Sequence, residues 1–312
     1  MTTVITVTPN PAIDVFTSTE TLAPFSKLRC TPAHHDPGGG GINVARVVRR
    51  LGGDVVAVFP AGGCAGSRLS QLLQTEGVPT LEIATKEETR QDFTIVERST
   101  ERQYRFILPG ATLETDEWQR CLDAVAVAAP KPGLVIASGS LPSGVPVDFY
   151  ARLARIARNR QIPMALDCSG EPLKAALLEG VHLIKPNLRE FRELVGRPLT
   201  GEGDWVAAGR ELITRGACEI IALTLGDAGA LLIARDGALR ADGIPIKAAS
   251  VVGAGDSFLG GMVWSLAAGN AVEHAFRLGV AAGTAAVLNA GTQLCHADDT
   301  WRLFADVRSR KA

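Results

Sequence analysis

Short β-branched runs alternate with longer amphipathic runs along this chain, and that alternation restricts the fold more than any other feature. "VITVT" (4–8), "VVAVF" (55–59), "LVIAS" (134–138), "PMALD" (163–167), "HLIKP" (182–186) and "EIIALTL" (219–225) look like buried strands, most of them with apolar residues at successive positions. Helical periods lie between most of them, at 42–51, 66–77, 146–160 and 205–216. Strands spaced by helices predict an α/β domain with a doubly wound, mainly parallel sheet, and ligands of such sheets bind beyond the carboxyl ends of the strands. Two stretches break the rhythm. Residues 13–36 show no helical period, and 90–108 read as two strands around a polar turn at 99–101. We read them as pieces of one small sheet projecting from the domain as a lid. Beyond residue 255 the pattern is helical, at 256–268, 271–289 and 298–309. No repeat, low-complexity segment or long linker divides the 312 residues, so a single domain is expected.

Composition narrows the partners. Lys+Arg number 32 against 33 Asp+Glu, a balance that favours neither nucleic acid nor a membrane surface but leaves room for an anionic small molecule. The six cysteines are scattered with no metal-type or redox-type pair, and read as reduced thiols of a cytoplasmic protein. The first residues show no signal-peptide pattern, and no apolar run is long enough to span a bilayer.

Several stretches carry chemistry. "PGGGGINVAR" (37–46) sets four glycines at a helix start, suited to close backbone approach to a ligand with Asn43 supplying an amide; a loose connection is the plain alternative. "VGAGDS" (252–257) presents the N–H groups of Ala254, Gly255 and Asp256 at a helix N-terminus, an anion site, and adds a carboxylate. Asp256 either caps the helix or accepts a proton from a hydroxyl attacking a phosphoryl group held there. "IKPNLREF" (184–191) groups Lys185, Asn187 and Glu190; Asn187 and Glu190, three apart at a helix start, can hold Mg²⁺ with its waters or form an ordinary helix cap. "TLGDAGAL" (224–231) is a strand–turn–strand suited to a nucleotide phosphate or a plain hairpin. Lys27, Arg29, Arg90 and Arg105 fall in the lid stretches, where they are either solvated charges or the holders of a phosphate on the substrate. Asp14 follows the first strand and can accept hydrogen bonds from sugar hydroxyls.

The two glycine motifs, "PGGGGINVARVVRRLGGDVVAVFPAGG" and "VVGAGDSFLGG", make nearly the whole chain resemble the ribokinase-like (PfkB) carbohydrate kinases. "TPNPAID", "GSLPSGV" and "KPNLRE" resemble the phosphosugar branch of that family, and "KLRCT" (27–31), "QYRFILPG" (103–110), "DCSGEPL" (167–173) and "GTQLC" (291–295) its bacterial ATP-dependent 6-phosphofructokinase group. The resemblance implies a ribokinase-like fold with a β-sheet lid shared by a homodimer, and ATP-dependent conversion of fructose 6-phosphate to fructose 1,6-bisphosphate. It implies Asp256 as base with Gly253, Ala254 and Gly255 as the anion hole. Sugar-phosphate contacts would come from Asp14, Gly39, Asn43, Arg90, Arg105 and Ser140, with Lys27 and Arg29 offered across the dimer. Nucleotide contacts would be Lys185, Asn187, Thr224, Gly226 and Gly229, with Glu190 organising Mg²⁺ through water. A K⁺ site would use carbonyls near Ser250, Val252, Ala286, Asn289 and Gly291, beside Gln293, where relatives commonly carry a basic residue. The alternatives are phosphorylation of fructose 1-phosphate or tagatose 6-phosphate and, more remotely, a non-catalytic sugar-phosphate sensor. A nicotinamide dehydrogenase is disfavoured, because no G-x-G-x-x-G follows the first strand.

Overall fold

The computed structural model describes residues 2–246, 250–289, 291 and 293–312. The chain runs β1 (Val4–Val7), β2 (Ala12–Thr19), β3 (His34–Gly38), α1 (Gly40–Arg50), β4 (Val55–Ala61), α2 (Gly63–Thr75), β5 (Thr80–Ala84), β6 (Arg90–Glu97), β7 (Arg102–Phe106) and α3 (Thr115–Val127). It continues through β8 (Leu134–Ser138), α4 (Phe149–Asn159), β9 (Met164–Asp167), α5 (Gly170–Leu177), β10 (Val181–Ile184), α6 (Leu188–Val195), α7 (Glu202–Thr214) and β11 (Cys218–Thr224). The last part comprises β12 (Gly229–Ala234), β13 (Gly237–Asp242), α8 (Ala254–Ala267), α9 (Val272–Ala286), α10 (Ala297–Phe304) and β14 (Arg310–Lys311).

Among the described residues the main sheet has ten strands, in the order β14-β13-β12-β11-β10-β9-β8-β1-β4-β5. The strands from β5 to β11 are parallel, and β12, β13 and β14 extend that edge antiparallel. Side chains of one strand alternate between two cores. Leu134 and Ile136 face the core built with α1, α2, α8, α9 and α10, whereas Val135 and Ala137 face the core built with α3, α4, α5, α6 and α7. Burial on both faces accounts for the nearly continuous apolar runs in the sequence. The doubly wound expectation is met.

The lid is a second sheet, ordered β3-β2-β6-β7. β2 and β6 are parallel, and each carries an antiparallel neighbour. The 90–108 stretch is the expected hairpin, turning where Glu101 adopts φ 56°. Two helical spans end earlier than the sequence pattern suggests: α9 stops at Ala286 and α10 at Phe304. The residues after Phe304 leave the helix because Arg310 and Lys311 pair with Arg240 and Leu239 as an edge strand. Helices α3 and α5, unassigned from sequence, belong to the second core, α3 against β4 and β5 and α5 against α4.

Helix α8 is apolar nearly all round and packs between α1 and α9. A Cβ on Gly260 would lie 2.5 Å from Val47 of α1, and one on Gly261 would lie 2.8 Å from Ala282 of α9. The small residues therefore let the three helices pack closely, which holds the starts of α1 and α8 side by side at one end of the sheet.

Candidate active site

That end lies beyond the carboxyl termini of β1, β8, β9 and β10. A cleft of about 420 Å³ opens there, lined by Gly40, Ser138, Ser140, Asp167, Glu190 and Asp256 among others. A larger groove, about 960 Å³, lies at the opposite end of the sheet between Glu179, His182, Glu219 and Arg235, and contains none of the residues singled out in the sequence.

Asp256 sits in the first turn of α8. Gly253 precedes that helix with φ 75°, a left-handed conformation that favours glycine. The first bond within the helix is donated by the Ser257 N–H to the Gly253 carbonyl, at 2.8 Å. The N–H groups of Ala254, Gly255 and Asp256 therefore have no partner within the helix and point out of its positive end. Lys185 adds a full charge at this point, since its Nζ would lie 3.3 Å from a Cβ on Gly255. The same Nζ pairs with Asp167 Oδ1 at 3.1 Å. Burial opposes the charge on Lys185, but Asp167 and Asp256 outweigh it and hold its pKa above the ordinary value. Burial raises the Asp167 carboxyl, against the lowering effect of Lys185. The result is a group of N–H donors and one ammonium converging on one point, suited to hold an anion.

The Asp256 carboxylate accepts a hydrogen bond at Oδ2 from Asn43 Nδ2, at 2.9 Å. Oδ1 lies on the side of the α1 start, 3.5 Å from where a Cβ on Gly40 would stand, and that same Cβ would meet Ser138 Oγ at 2.1 Å. Residue 40 therefore has no room for a side chain, and the missing side chain leaves the acceptor side of Asp256 open. Burial pushes the Asp256 pKa up to about 6, and Asp167 adds to the rise. Asn43, Lys185 and Arg105 pull the other way. A carboxylate tuned close to neutrality beside an anion hole is equipped to take a proton from a hydroxyl that attacks a phosphoryl group.

The lid adjoins the α1 end of the site, where a Cβ on Gly38 would meet the Asp14 carboxylate at 2.6 Å. Asp14 of β2 stands in register with Asp36 of β3 and Asp92 of β6, so three carboxylates lie in one row across the sheet. The Asp14 pKa is raised to about 7 by burial first and then by Asp92 and Asp36, against the opposing charges of Arg105 and Arg46. Arg105 on β7 is exposed, and its charge acts on both Asp14 and Asp256. Arg90 is committed to the lid base. It donates to the carbonyls of Leu108 at 3.1 Å and Asn10 at 3.3 Å and pairs with Asp92 at 3.3 Å. Ser140 accepts from Asn10 Nδ2 at 3.0 Å and lines the cleft. Gly39 precedes α1 with φ 109°, against Thr8 and Pro11. Lys27 and Arg29 are exposed on the loop between β2 and β3 and make no ion pair within this chain among the described residues.

Opposite the lid, Asn187 Oδ1 accepts from the Glu190 N–H at 2.9 Å, and Glu190 Oε2 accepts from the Asn187 N–H at 3.0 Å. This reciprocal capping box fixes the start of α6, while Glu190 also lines the cleft. The cap and the binding role are thus compatible. Thr224 bridges to Asn187, and its N–H donates to the Pro186 carbonyl at 3.0 Å. Gly226 and Gly229 form the turn that follows, both with positive φ. The segments proposed for a monovalent cation also meet. Ser250 Oγ donates to the Gly291 carbonyl at 2.7 Å, and the Val252 N–H donates back to Ser250 Oγ at 3.2 Å. Ala286 and Asn289 close the end of α9, where the Asn289 amide donates to the carbonyls of Ala285 and Leu294. Gln293 follows on the same loop, exposed.

Sequence reasoning gave no role to Asp167, Asn10 or Arg46. Asp167 had a signal available, as a carboxylate at the carboxyl end of a central strand. Arg46 had one as well, being a charge four residues after Ile42 on the apolar side of an amphipathic helix.

An anion hole, a tuned carboxylate and a lid lined with cations and carboxylates, set on a doubly wound sheet, define a phosphotransferase with an alcohol acceptor. Comparison with known proteins gives the family: residues 10–299 match the pfkB family carbohydrate kinases, and the chain belongs to that family. It is 46% identical over 301 residues to the ATP-dependent 6-phosphofructokinase isozyme 2 of Mycobacterium tuberculosis H37Rv, covering 96% of this chain and 88% of the relative. It is 41% identical over 303 residues to the protein of the same name from Escherichia coli K12, covering 97% and 98%. The crystal structure of the E. coli phosphofructokinase-2 in complex with fructose-6-phosphate superimposes with a TM-score of 0.93 at 39% identity, covering 98% of this chain and 99% of that one. The potassium complex of the E. coli enzyme gives 0.94 at 40% identity, with the same coverage.

Proposed function

We propose that this chain transfers the terminal phosphoryl group of ATP to fructose 6-phosphate, giving fructose 1,6-bisphosphate. The observation that carries the reading is the pairing of Asp256 with the anion hole, its Oδ2 held by Asn43 and its Oδ1 turned toward the open start of α1. Asp256 takes the proton of the attacking hydroxyl, while the N–H groups of Gly255 and its neighbours and the Lys185 ammonium stabilise the charge on the phosphoryl group in transfer. Asp14, Asn43, Ser140 and the Gly39 backbone orient the sugar. Arg105 and Arg90 face its phosphate, with Lys27 and Arg29 supplied by the second subunit of a lid-to-lid homodimer. The exposed apolar residues Phe25, Leu28, Phe106 and Ile107 on the lid support that dimer.

On the nucleotide side, Asn187, Thr224, Gly226 and Gly229 are suited to the ATP phosphates and ribose. The cleft offers Asp167 and Glu190, hard oxygen donors that suit Mg²⁺. In this reading the ion is held mainly by phosphates and water and only organised by Glu190. Mg²⁺, when bound with ATP, neutralises charge on the phosphates. The 250–252 and 286–291 loops are the place for K⁺. Among the described residues no helix is long and apolar enough to cross a membrane, and we place the reaction in the cytoplasm.

The test is a coupled assay of MgATP with fructose 6-phosphate, fructose 1-phosphate and tagatose 6-phosphate. The expected result is the highest kcat/KM with fructose 6-phosphate. Preference for either of the other sugars, or no turnover of any, refutes the assignment.

A further inference from the structure

Asn43 can serve Asp256 only in one of its two orientations. Its amide oxygen and nitrogen are nearly the same size, so shape does not select between them. With Nδ2 toward Asp256 the contact is a charge-assisted hydrogen bond. With Oδ1 there instead, two oxygens would face each other and the carboxylate would lose its donor.

The side chain that distinguishes the two is Arg46, one turn further along α1. Its Nη1 donates to Asn43 Oδ1 at 3.3 Å. A guanidinium has donors only, so it accepts no orientation of Asn43 other than oxygen-inward. Arg46 is itself immobilised. It is 1% exposed, and Nε and Nη2 grip Glu76 at 3.0 and 2.6 Å. Nη2 reaches Asp36 at 3.4 Å, and Nη1 also donates to the Pro37 carbonyl at 2.8 Å. Arg50 shares Glu76 at 3.2 Å. A buried cation with so many partners costs solvation that a plain apolar residue on α1 would avoid. What the arginine supplies in return is a fixed donor aimed at Asn43.

We propose that Arg46 is a positioning residue for the base: it locks the Asn43 amide so that Nδ2 faces Asp256 and Oδ1 of Asp256 is left to the acceptor hydroxyl. The inference rests on the reading of Asp256 as base and extends it to a residue that touches neither substrate nor base. The other groups acting on Asp256 are Asp167 at the end of β9, Lys185 after β10 and Arg105 on β7, and none of them contacts Arg46.

The test is Arg46→Lys in the full-length enzyme, which keeps a cation for Glu76 and Asp36 but loses the fork that reaches Asn43 at the same time. The kcat is expected to fall roughly tenfold with KM for ATP unchanged. Loss of the donor raises the pKa of the base, so the acidic limb of the kcat–pH profile moves upward by about one unit. In an Asn43→Ala background the same substitution changes neither kcat nor the limb further, because the residue it acts through is gone. An equal fold-loss in both backgrounds, or a fall in Tm with kcat and limb unmoved, overturns the proposal. Where Arg46→Lys does not yield folded protein, Glu76→Gln loosens the same anchor. It is expected to move the limb upward by a few tenths of a unit, and an unmoved limb overturns the proposal equally. Asp256→Asn, assayed alongside, separates this outcome from failure of the base assignment, since that failure would show as retained activity in Asp256→Asn itself.

Discussion

Asp256→Asn removes a proton acceptor and a charge from the floor of the cleft, and each loss has its own magnitude. Asn43 donates through Nδ2 to the Oδ2 position, so the new amide must place its oxygen there and its NH₂ where Oδ1 stood. That NH₂ cannot take a proton from the acceptor hydroxyl. The kcat is expected to fall by about 10²–10⁴-fold, the usual worth of a positioned base, with little change in KM because the amide is nearly isosteric. The charge acts on stability in the opposite direction. The carboxyl titrates at about 6 in the folded protein against an ordinary 3.8, so the folded state binds the proton more tightly than the unfolded chain does. The ionised form is therefore a cost to folding, absent below the unfolded pKa and complete once the pH exceeds the folded one. Two units at ~1.4 kcal/mol each give a cost of about 3 kcal/mol. The inactive variant is then the more stable protein at pH 8, with Tm raised by several degrees, roughly 2 °C per kcal/mol for a chain of this size. The gain disappears as the pH falls toward 4. Coupled rates and calorimetry at both pH values measure the two effects. A variant that keeps more than about a tenth of the rate refutes the base, and an unchanged or lower Tm at pH 8 refutes the argument from burial.

Arg105→Ala is expected to raise KM for the sugar phosphate roughly 10- to 100-fold, the worth of one charged hydrogen bond, with ATP binding unaffected in titration calorimetry; unaltered sugar binding would show the residue to be a solvated charge. Arg90→Ala should raise the same KM and also lower Tm, because Arg90 holds the carbonyls of Asn10 and Leu108; a KM effect without any loss of stability would contradict that bracing role. Asp14 titrates near 7 in the sugar-free enzyme, and sugar hydroxyls donate more strongly to the carboxylate than to the neutral acid, so KM for fructose 6-phosphate should rise by up to roughly tenfold from pH 8 to pH 6. A profile equally steep in Asp14→Asn would remove Asp14 from that account.

The sheet was legible because its strands are buried on both faces and carry a continuous apolar signal, as at Val135–Ile136 and Ile220–Ile221. Helix α3 was not, although Glu114 and Glu117 form a capping box at its start, because a mixed polar stretch after the lid hides its period. At the site, the glycines, Asn43 and Asp256 could be read from their local pattern. The commitments of Arg90 and Arg46 could not, since their partners Asn10, Leu108 and Glu76 lie 18 to 80 residues away. Asp167 stayed unassigned because the sequence does not show that Lys185, just after the neighbouring strand β10, reaches it.

The order of these groups along the chain has an evolutionary side. Asp14, Gly39, Asn43, Arg90 and Arg105 all precede α3, whereas Asp167, Lys185, Asn187, Thr224 and the anion hole all follow β8. On the proposed reading, most of the groups that choose the acceptor come earlier in the chain than those that handle the donor, with Ser140 just beyond β8 the exception. The lid strands can drift toward a new sugar while the phosphate machinery is inherited intact. What limits such recombination is the seam between α1 and α8, where Val47 lies against Gly260 and Asn43 meets Asp256 across 213 positions. A hybrid joined between β7 and β8 remains an enzyme only if both sides of that seam descend from compatible parents.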